Sequence, residues 1–333
     1  MLIVYDERCA EHLRGVPHPE SPQRVEAVAA HLRERGDLRD ALPARDATDA
    51  EIELVHSEGY VNLVEREVAS LRASAGYLST GDTIVDGASL DAARRAAGAA
   101  IAGAQAAYEG NGAAFAIVRP PGHHAESTRG MGFCVFNNAA IAARTLQAQT
   151  GARTLIVDFD YHHGNGTQAV AGDGLSYVST HGYPAYPGTG GPDENYALPN
   201  EDAIVNVPLP PHGFGTEPFV ALWKRLLPQI AARVKPDMLI VSAGFDYVQG
   251  DPVGDLGVAV SAAADLAAIV NAAAQSFCDG RVLYVLEGGY DIGALAASVA
   301  HVIDAHRASS PVPDADAATI PQTQQALLRR ILT

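Results

Sequence analysis

Basic residues are scarce in this sequence. Twenty-three Lys and Arg stand against 39 Asp and Glu in 333 residues, a formal charge of −16. That balance argues against the basic face with which a nucleic-acid-binding protein meets phosphates. It is compatible with attracting cationic substrates, and equally with plain solubility. Cysteine is scarcer still: Cys9, Cys134 and Cys278 offer neither a disulfide framework nor a cysteine zinc site. Long apolar runs are missing. The first one, LIVY, ends after four residues at Asp6 with no basic segment before it, and charge interrupts the alanine-rich stretches. Repeats, charge tracts and long linkers are absent too. The expectation is a soluble, cytoplasmic protein with no direct nucleic-acid or membrane partner.

What is present is a chain with 47% hydrophobic and 19% charged residues, ordinary for a sizeable core. Short β-branched and aliphatic runs read as strands: Leu2–Tyr5, Phe115–Val118, Thr154–Val157, LSYVSTHG, AIVNVPL, MLIVSAGFD and VLYVLEGGY. Helices are expected after Ser21, which can cap with Pro22 in first position, over Ser57–Leu71, and in the alanine-rich segment from Ser89. Others are expected over Phe136–Gln149, Phe219–Val234, Ser261–Phe277 and Ile292–His306. The turn-rich segment 76–87 reads as surface loop. Alternating strands and helices predict an α/β fold, a central parallel sheet with helices on both faces. Length allows two domains, but nothing divides the chain, so one domain over 1–333 is expected. A short proline-rich segment at 309–321 precedes a helix over Gln322–Leu332.

The chemistry gathers where strands end. TLIVDFDYHHGNGTQ (154–168) begins as a buried strand and turns abruptly polar. Side chains two apart in extended chain share a face, so Asp160 and His162 can reach one ion, and an Asp oxygen with a His nitrogen suits Zn²⁺. Asp246, after MLIVSAGF, is a plausible third ligand, and the anionic set also admits Fe²⁺ or Mn²⁺. His123 and His124 follow PPG at another strand end. A water activated by a metal needs a general base and a departing amine needs an acid, roles histidine usually fills. Each imidazole needs an orienting acceptor, and Asp158 and Asn165 are available. Tyr290 follows paired glycines and can donate to a developing oxyanion. Phe133, beside Gly132, and Tyr186 can wall an apolar slot, and Asp82 can accept backbone N–H groups of a substrate. Each of these alone has a plainer reading as a cap, a core aromatic or a solvated loop. Ligand sites of open α/β sheets lie beyond the strand C-termini, however, so these pieces converge.

Taken together, RPPGHHAE, GFCVFNN, VDFDYHHGNGTQ, YPGTG, SAGFDYVQGDP and LEGGY resemble the zinc-dependent histone deacetylase family, which includes acetylpolyamine amidohydrolases. The blocks run in the family's order from about residue 18 to 290, nearly the whole chain. The wording HHGNGTQ is closest to the class II and bacterial branch. The resemblance implies an arginase-like fold and hydrolysis of an acetyl-lysine peptide or a small acylated amine. It implies Asp160, His162 and Asp246 as zinc ligands, His123 paired with Asp158, His124 paired with Asn165, and Tyr290 polarising the carbonyl. Gly132, Phe133 and Tyr186 would line the acyl-lysine tunnel, and Asp82 would hold substrate backbone. A structural K⁺ would use Asp158, the Asp160, His162 and Thr180 carbonyls, and Ser179. Val253 falls at a gatekeeper position where polyamine-specific eukaryotic relatives place glutamate, which speaks for an acyl-lysine substrate over a polyamine.

Overall fold

The apolar runs become strands because β-branched and aliphatic side chains suit a pleat buried on both faces. In the computed structural model, which describes residues 1–71, 74–110 and 112–332, the first five are β1 (Leu2–Tyr5), β2 (Gly76–Tyr77), β3 (Ile84–Val85), β4 (Ala113–Ile117) and β5 (Thr154–Asp158). They are followed by β6 (Leu175–Gly182), β7 (Tyr196–Ala197), β8 (Ala203–Leu209), β9 (Met238–Ala243) and β10 (Val282–Leu286). The helices are α1 (Pro22–Arg35), α2 (Asp49–Ile52), α3 (Glu58–Leu71), α4 (Ser89–Gly110), α5 (Asn138–Thr150) and α6 (Asn165–Ala169). The later ones are α7 (Thr216–Val234), α8 (Ala262–Phe277), α9 (Ile292–Ala308) and α10 (Gln322–Leu332).

Eight strands form one sheet in the order β1-β4-β10-β9-β5-β6-β8-β7. Every pairing is parallel except β7 with β8, so the expected parallel sheet carries a short antiparallel edge. Every residue of β5, β6, β9 and β10 is buried. Helices α4 and α5 pack together over β1, β4, β5, β9 and β10. A second group, α7, α8, α9 and α1, runs side by side, and α10 closes against β8 and α7. No helix among the described residues is long and apolar enough to cross a membrane.

Three local expectations change. Segment 76–87 is not plain surface loop: β2 and β3 pair antiparallel, and Leu78, Thr83 and Val85 are buried. Three apolar or β-branched residues among the turn formers give that hairpin a face to bury. Strand β4 starts at Ala113, two residues before the aromatic that marked it. Ser21 stands at the N-cap of α1 ahead of Pro22, but its side chain makes no capping bond.

Candidate active site

Strand β5 ends at Asp158, and the parallel register places Ser179 of β6 and Ser242 of β9 on either side of it. Beyond this edge Asp160, His162 and Asp246 meet, all buried, with donor atoms within 4.8 Å of one another. His162 Nδ1 lies 3.1 Å from Asp160 Oδ1 and 2.9 Å from Asp246 Oδ2. Backbone N–H groups fix the carboxylates: His162 donates to Asp160 Oδ1 (2.9 Å), Gly288 to Asp160 Oδ2 (2.8 Å) and Tyr161 to Asp246 Oδ1 (2.9 Å). Only glycine fits at 288, where a Cβ would stand 2.5 Å from Asp246 Oδ2 and 2.6 Å from Asp160 Oδ2.

Burial, reinforced by Asp160, pushes the Asp246 carboxyl up to about 7. For Asp160, burial is outweighed by His123 and His162, which hold it well below the usual carboxylate range. Asp246 Oδ2 is buried and, although His162 Nδ1 is 2.9 Å away, it makes no hydrogen bond of proper geometry among the described residues. Two crowded carboxylates, an imidazole and an orphan oxygen form a donor set that a divalent cation completes, and its N/O composition fits Zn²⁺.

His123 and His124 stand beside this cluster, ring centroids 4.1 Å apart. His123 Nδ1 meets Asp158 Oδ2 at 3.0 Å. Burial opposes its charge, but Asp160 and Asp158 overcome that and raise it to about 10. His124 Nδ1 meets Asn165 Oδ1 at 2.8 Å. The amide of Asn165 is oriented by Glu126, whose Oε1 accepts its Nδ2–H at 2.7 Å. The carbonyl therefore faces His124, Nδ1 carries the proton, and Nε2 is left as an acceptor. Burial, then the charges of His123 and His162, push His124 well below the ordinary imidazole value. Glu126 was not legible as part of the site; a carboxylate two residues past the histidine pair was its only signal.

Tyr290 is held by groups that the sequence motifs did not single out. Asp251 accepts the Tyr290 N–H (2.6 Å) and the Asp291 N–H (2.9 Å), while its other oxygen takes Val253 N–H (2.9 Å). Arg24 donates to the carbonyls of Gly289 (2.6 Å) and Glu287 (2.5 Å), and its guanidinium lies 4.8 Å from the Tyr290 ring centre. Glu287 accepts the N–H groups of Gly122 (2.6 Å) and His123 (3.2 Å), tying the histidine pair to the end of β10. A signal existed for two of them: Arg24 lies among Val25 and Val28 on the buried face of α1, and Glu287 directly follows an apolar strand.

A cavity of about 450 Å³ opens onto this group. His123, His124, His162 and Tyr290 line it, together with Gly132, Phe133, Tyr186, Asp82 and Val253, and with Tyr77 and Tyr161 as additions to the expected set. Phe133 packs edge-on against His18 (4.6 Å) and Tyr290 (5.9 Å), and Tyr186 stands edge-on to His124 (5.2 Å). At Gly132, φ is +55° and a Cβ would lie 2.3 Å from His124 Cδ2, so the wall needs glycine. Asp82 turns both oxygens to the chain itself, accepting the Gly132 N–H (2.9 Å) and the Tyr186 O–H (3.0 Å). Of the residues assigned to potassium, Ser179 shares a hydrogen bond with His181 Nδ1 (2.8 Å), and Thr180 is buried beside it. A larger hollow of about 870 Å³ lies elsewhere, between β7, β8, α7 and α10. No histidine lines it, so the chemistry belongs to the smaller cavity.

The family model described as a histone deacetylase domain matches residues 18–306. Histone deacetylase 15 of Arabidopsis thaliana is 37% identical over 334 residues, covering 96% of this chain but 59% of that protein's length. A probable deacetylase of Archaeoglobus fulgidus is 37% identical over 301 residues, 88% of this chain and 82% of that one. The crystal structure of the HDA15 HD domain superposes with a TM-score of 0.88 at 35% identity, covering 99% of this chain and 95% of that chain.

Proposed function

The chain belongs to the histone deacetylase family, and we propose that within it the protein is a zinc-dependent amidohydrolase acting on acetyl-lysine or a similar N-acylated amine. The observation that carries this reading is one cavity lined by a histidine pair, a tyrosine and His162, whose ring joins Asp160 and Asp246 in a three-donor cation cluster. Asp160, His162 and Asp246 would hold Zn²⁺, with Fe²⁺ an alternative for the same donors. Bound there, the ion supplies a Lewis acid for the acyl carbonyl and acidifies the attacking water.

The chain's own residues supply the rest. Tyr290 donates its O–H to the carbonyl oxygen as negative charge develops. His124 gives its Nδ1–H to Asn165 and so presents Nε2 to take the proton of the attacking water. His123 carries its proton against Asp158, and the histidine pair returns a proton to the departing amine. The aromatic edges of Phe133 and Tyr186 keep water from the linker between the acyl group and the body of the substrate. A potassium ion on Asp158, Ser179 and the Asp160, His162 and Thr180 carbonyls would brace the same loop. A cytoplasmic location is part of this reading.

A polyamine substrate is the second enzyme reading. Val253, uncharged at the cavity wall, offers nothing to a distal ammonium and favours acyl-lysine. A silent acyl-lysine binder is disfavoured because all three donors, both histidines and Tyr290 stand together. The test is acetate release from an acetyl-lysine peptide, N-acetylputrescine and N-acetylspermidine by zinc-treated and chelator-treated protein. Zinc-dependent release, fastest from the peptide, is expected. No release from any of the three would remove the enzyme reading, and preference for the polyamines would move it to small-molecule metabolism.

A further inference from the structure

The hairpin of β2 and β3 is stitched along segment 130–134 by three side chains of its turn. Thr80 Oγ1 accepts the Gly130 N–H (3.3 Å), Asp82 Oδ1 the Gly132 N–H (2.9 Å), and Thr83 Oγ1 donates to the Cys134 carbonyl (3.1 Å). This side of the cavity, Phe133 included, is therefore one braced wall. The opposite wall is Tyr186, on a loop 104 residues further along the chain from Asp82. That loop is anchored at its far end, where His163 Nδ1 meets Thr189 Oγ1 (2.8 Å) and His181 Nε2 meets the Gly190 carbonyl (2.8 Å). At its near end the Tyr186 ring is 40% exposed, and its hydroxyl reaches across the mouth to Asp82 Oδ2 at 3.0 Å.

We propose that Asp82 is a positioning residue for Tyr186: it fixes the width of the substrate channel by tethering the Tyr186 hydroxyl to the Gly132–Phe133 wall, and so selects the substrate's linker instead of gripping a peptide backbone. The proposal rests on the amidohydrolase reading and deepens it. Both Asp82 oxygens already have donors within the chain, the Gly132 N–H from one side of the cavity and the hydroxyl of Tyr186, whose ring packs on His124, from the other. Selection by linker predicts that small acylated amines with a lysine-like chain and no distal charge are handled as acetyl-lysine peptides are, because no subsite for the peptide backbone is involved.

The experiment compares wild type, Asp82→Ala, Tyr186→Phe and the double variant on two substrates, an acetyl-lysine peptide and N-pentylacetamide, which has the same linker and no backbone amide. Each single change is expected to raise KM about fivefold on both substrates, the size of one exposed hydrogen bond to a charge, with the loss falling on KM rather than kcat. The double variant is expected to be no worse than Asp82→Ala, which already removes the bond lost in Tyr186→Phe. A penalty for Asp82→Ala that is confined to the peptide, or that adds to Tyr186→Phe, overturns the proposal and makes Asp82 a direct backbone contact. Unchanged KM in both singles overturns it as well. A second readout does not depend on hydrolysis: with 3-fluorotyrosine incorporated, the ¹⁹F resonance assigned to Tyr186 should shift in Asp82→Ala. If wild type hydrolyses neither substrate, the enzyme reading falls, while an unmoved ¹⁹F resonance removes the tether.

Discussion

Glu20 is fully buried, and its replacement by Gln should be among the costliest isosteric changes in the molecule. Its Oε1 accepts from Arg24 (2.8 Å) and Arg119 (2.6 Å), and His12 Nε2 stands 3.6 Å from Oε2. Burial alone would raise this carboxyl, but Arg119 and Arg24 outweigh it and hold it at about 2 against an ordinary 4.5. At ~1.4 kcal/mol per tenfold in proton affinity, the ionised state contributes about 3 kcal/mol to folding. Leaving two buried guanidiniums without their anion costs about 3–5 kcal/mol on the mutational scale, so the two routes agree. The sign follows from a depressed carboxylate: the contribution is whole above pH 4.5 and disappears as pH falls toward 2. His12, pushed by burial down to about 4, responds to the loss of Glu20 in the opposite sense, but without a hydrogen bond to Oε2 its effect is the smaller. Urea unfolding from pH 8 to 3 should therefore show Glu20→Gln about 3–5 kcal/mol less stable at pH 7. The gap should stay flat down to pH 5 and narrow below it. A gap under about 1 kcal/mol at pH 7, or one that is unchanged at pH 3, would refute this reasoning.

Asp246→Asn should retain zinc at least tenfold less tightly than wild type on dialysis while unfolding at a similar temperature, and equal zinc retention would remove Asp246 from the donor set. Tyr290→Phe should lower kcat by about a hundredfold or more with zinc content unchanged, measured by acetate release beside metal analysis; near-normal turnover would end its assigned role. His124→Ala should cost about 10²–10⁴ in kcat, again with metal bound, and turnover within a few-fold of wild type would reassign the base. Gly132→Ala, forced against His124 at φ +55°, should lose activity together with about 1–3 kcal/mol of stability, and a fully active, stable variant would show that the wall can yield.

Much of the fold was legible because its signals are local. An apolar run such as Met238–Ala243 or Val282–Leu286 is bounded by polar residues, and the helical segments between the strands leave a parallel sheet as the consistent arrangement. The 76–87 hairpin was missed for the same reason: its strands are two residues each, too short for any period to appear. In the site, Asp160, His162, His123 and Tyr290 are chemically conspicuous at strand ends, and the structure brings the last three to one cavity with Asp160 against His162. Asp82 was legible as a residue of the mouth, but an exposed loop carboxylate gives no hint that its partners are Gly132 and Tyr186. Glu126, Asp251 and Glu287 hold others in place as acceptors, and their partners are fixed only once the strands lie side by side.

Those carboxylates do more than orient single groups. Asp160, after β5, accepts from Gly288 after β10, 128 residues away; Glu287, at the end of β10, accepts from Gly122 after β4, 165 away. Asp246, after β9, accepts from Tyr161 after β5, 85 away, and Asp251, further along, accepts from Tyr290, 39 away. The four strand-end loops are thus cross-braced by backbone N–H groups donating to buried carboxyl groups. The sheet sets the spacing of the loops, the carboxylates lock one loop to the next, and the reactive side chains inherit positions that none of them could fix alone. A residue that supplies only an acceptor to a distant backbone can therefore control the geometry of Tyr290 or His123 without resembling a catalytic group in sequence.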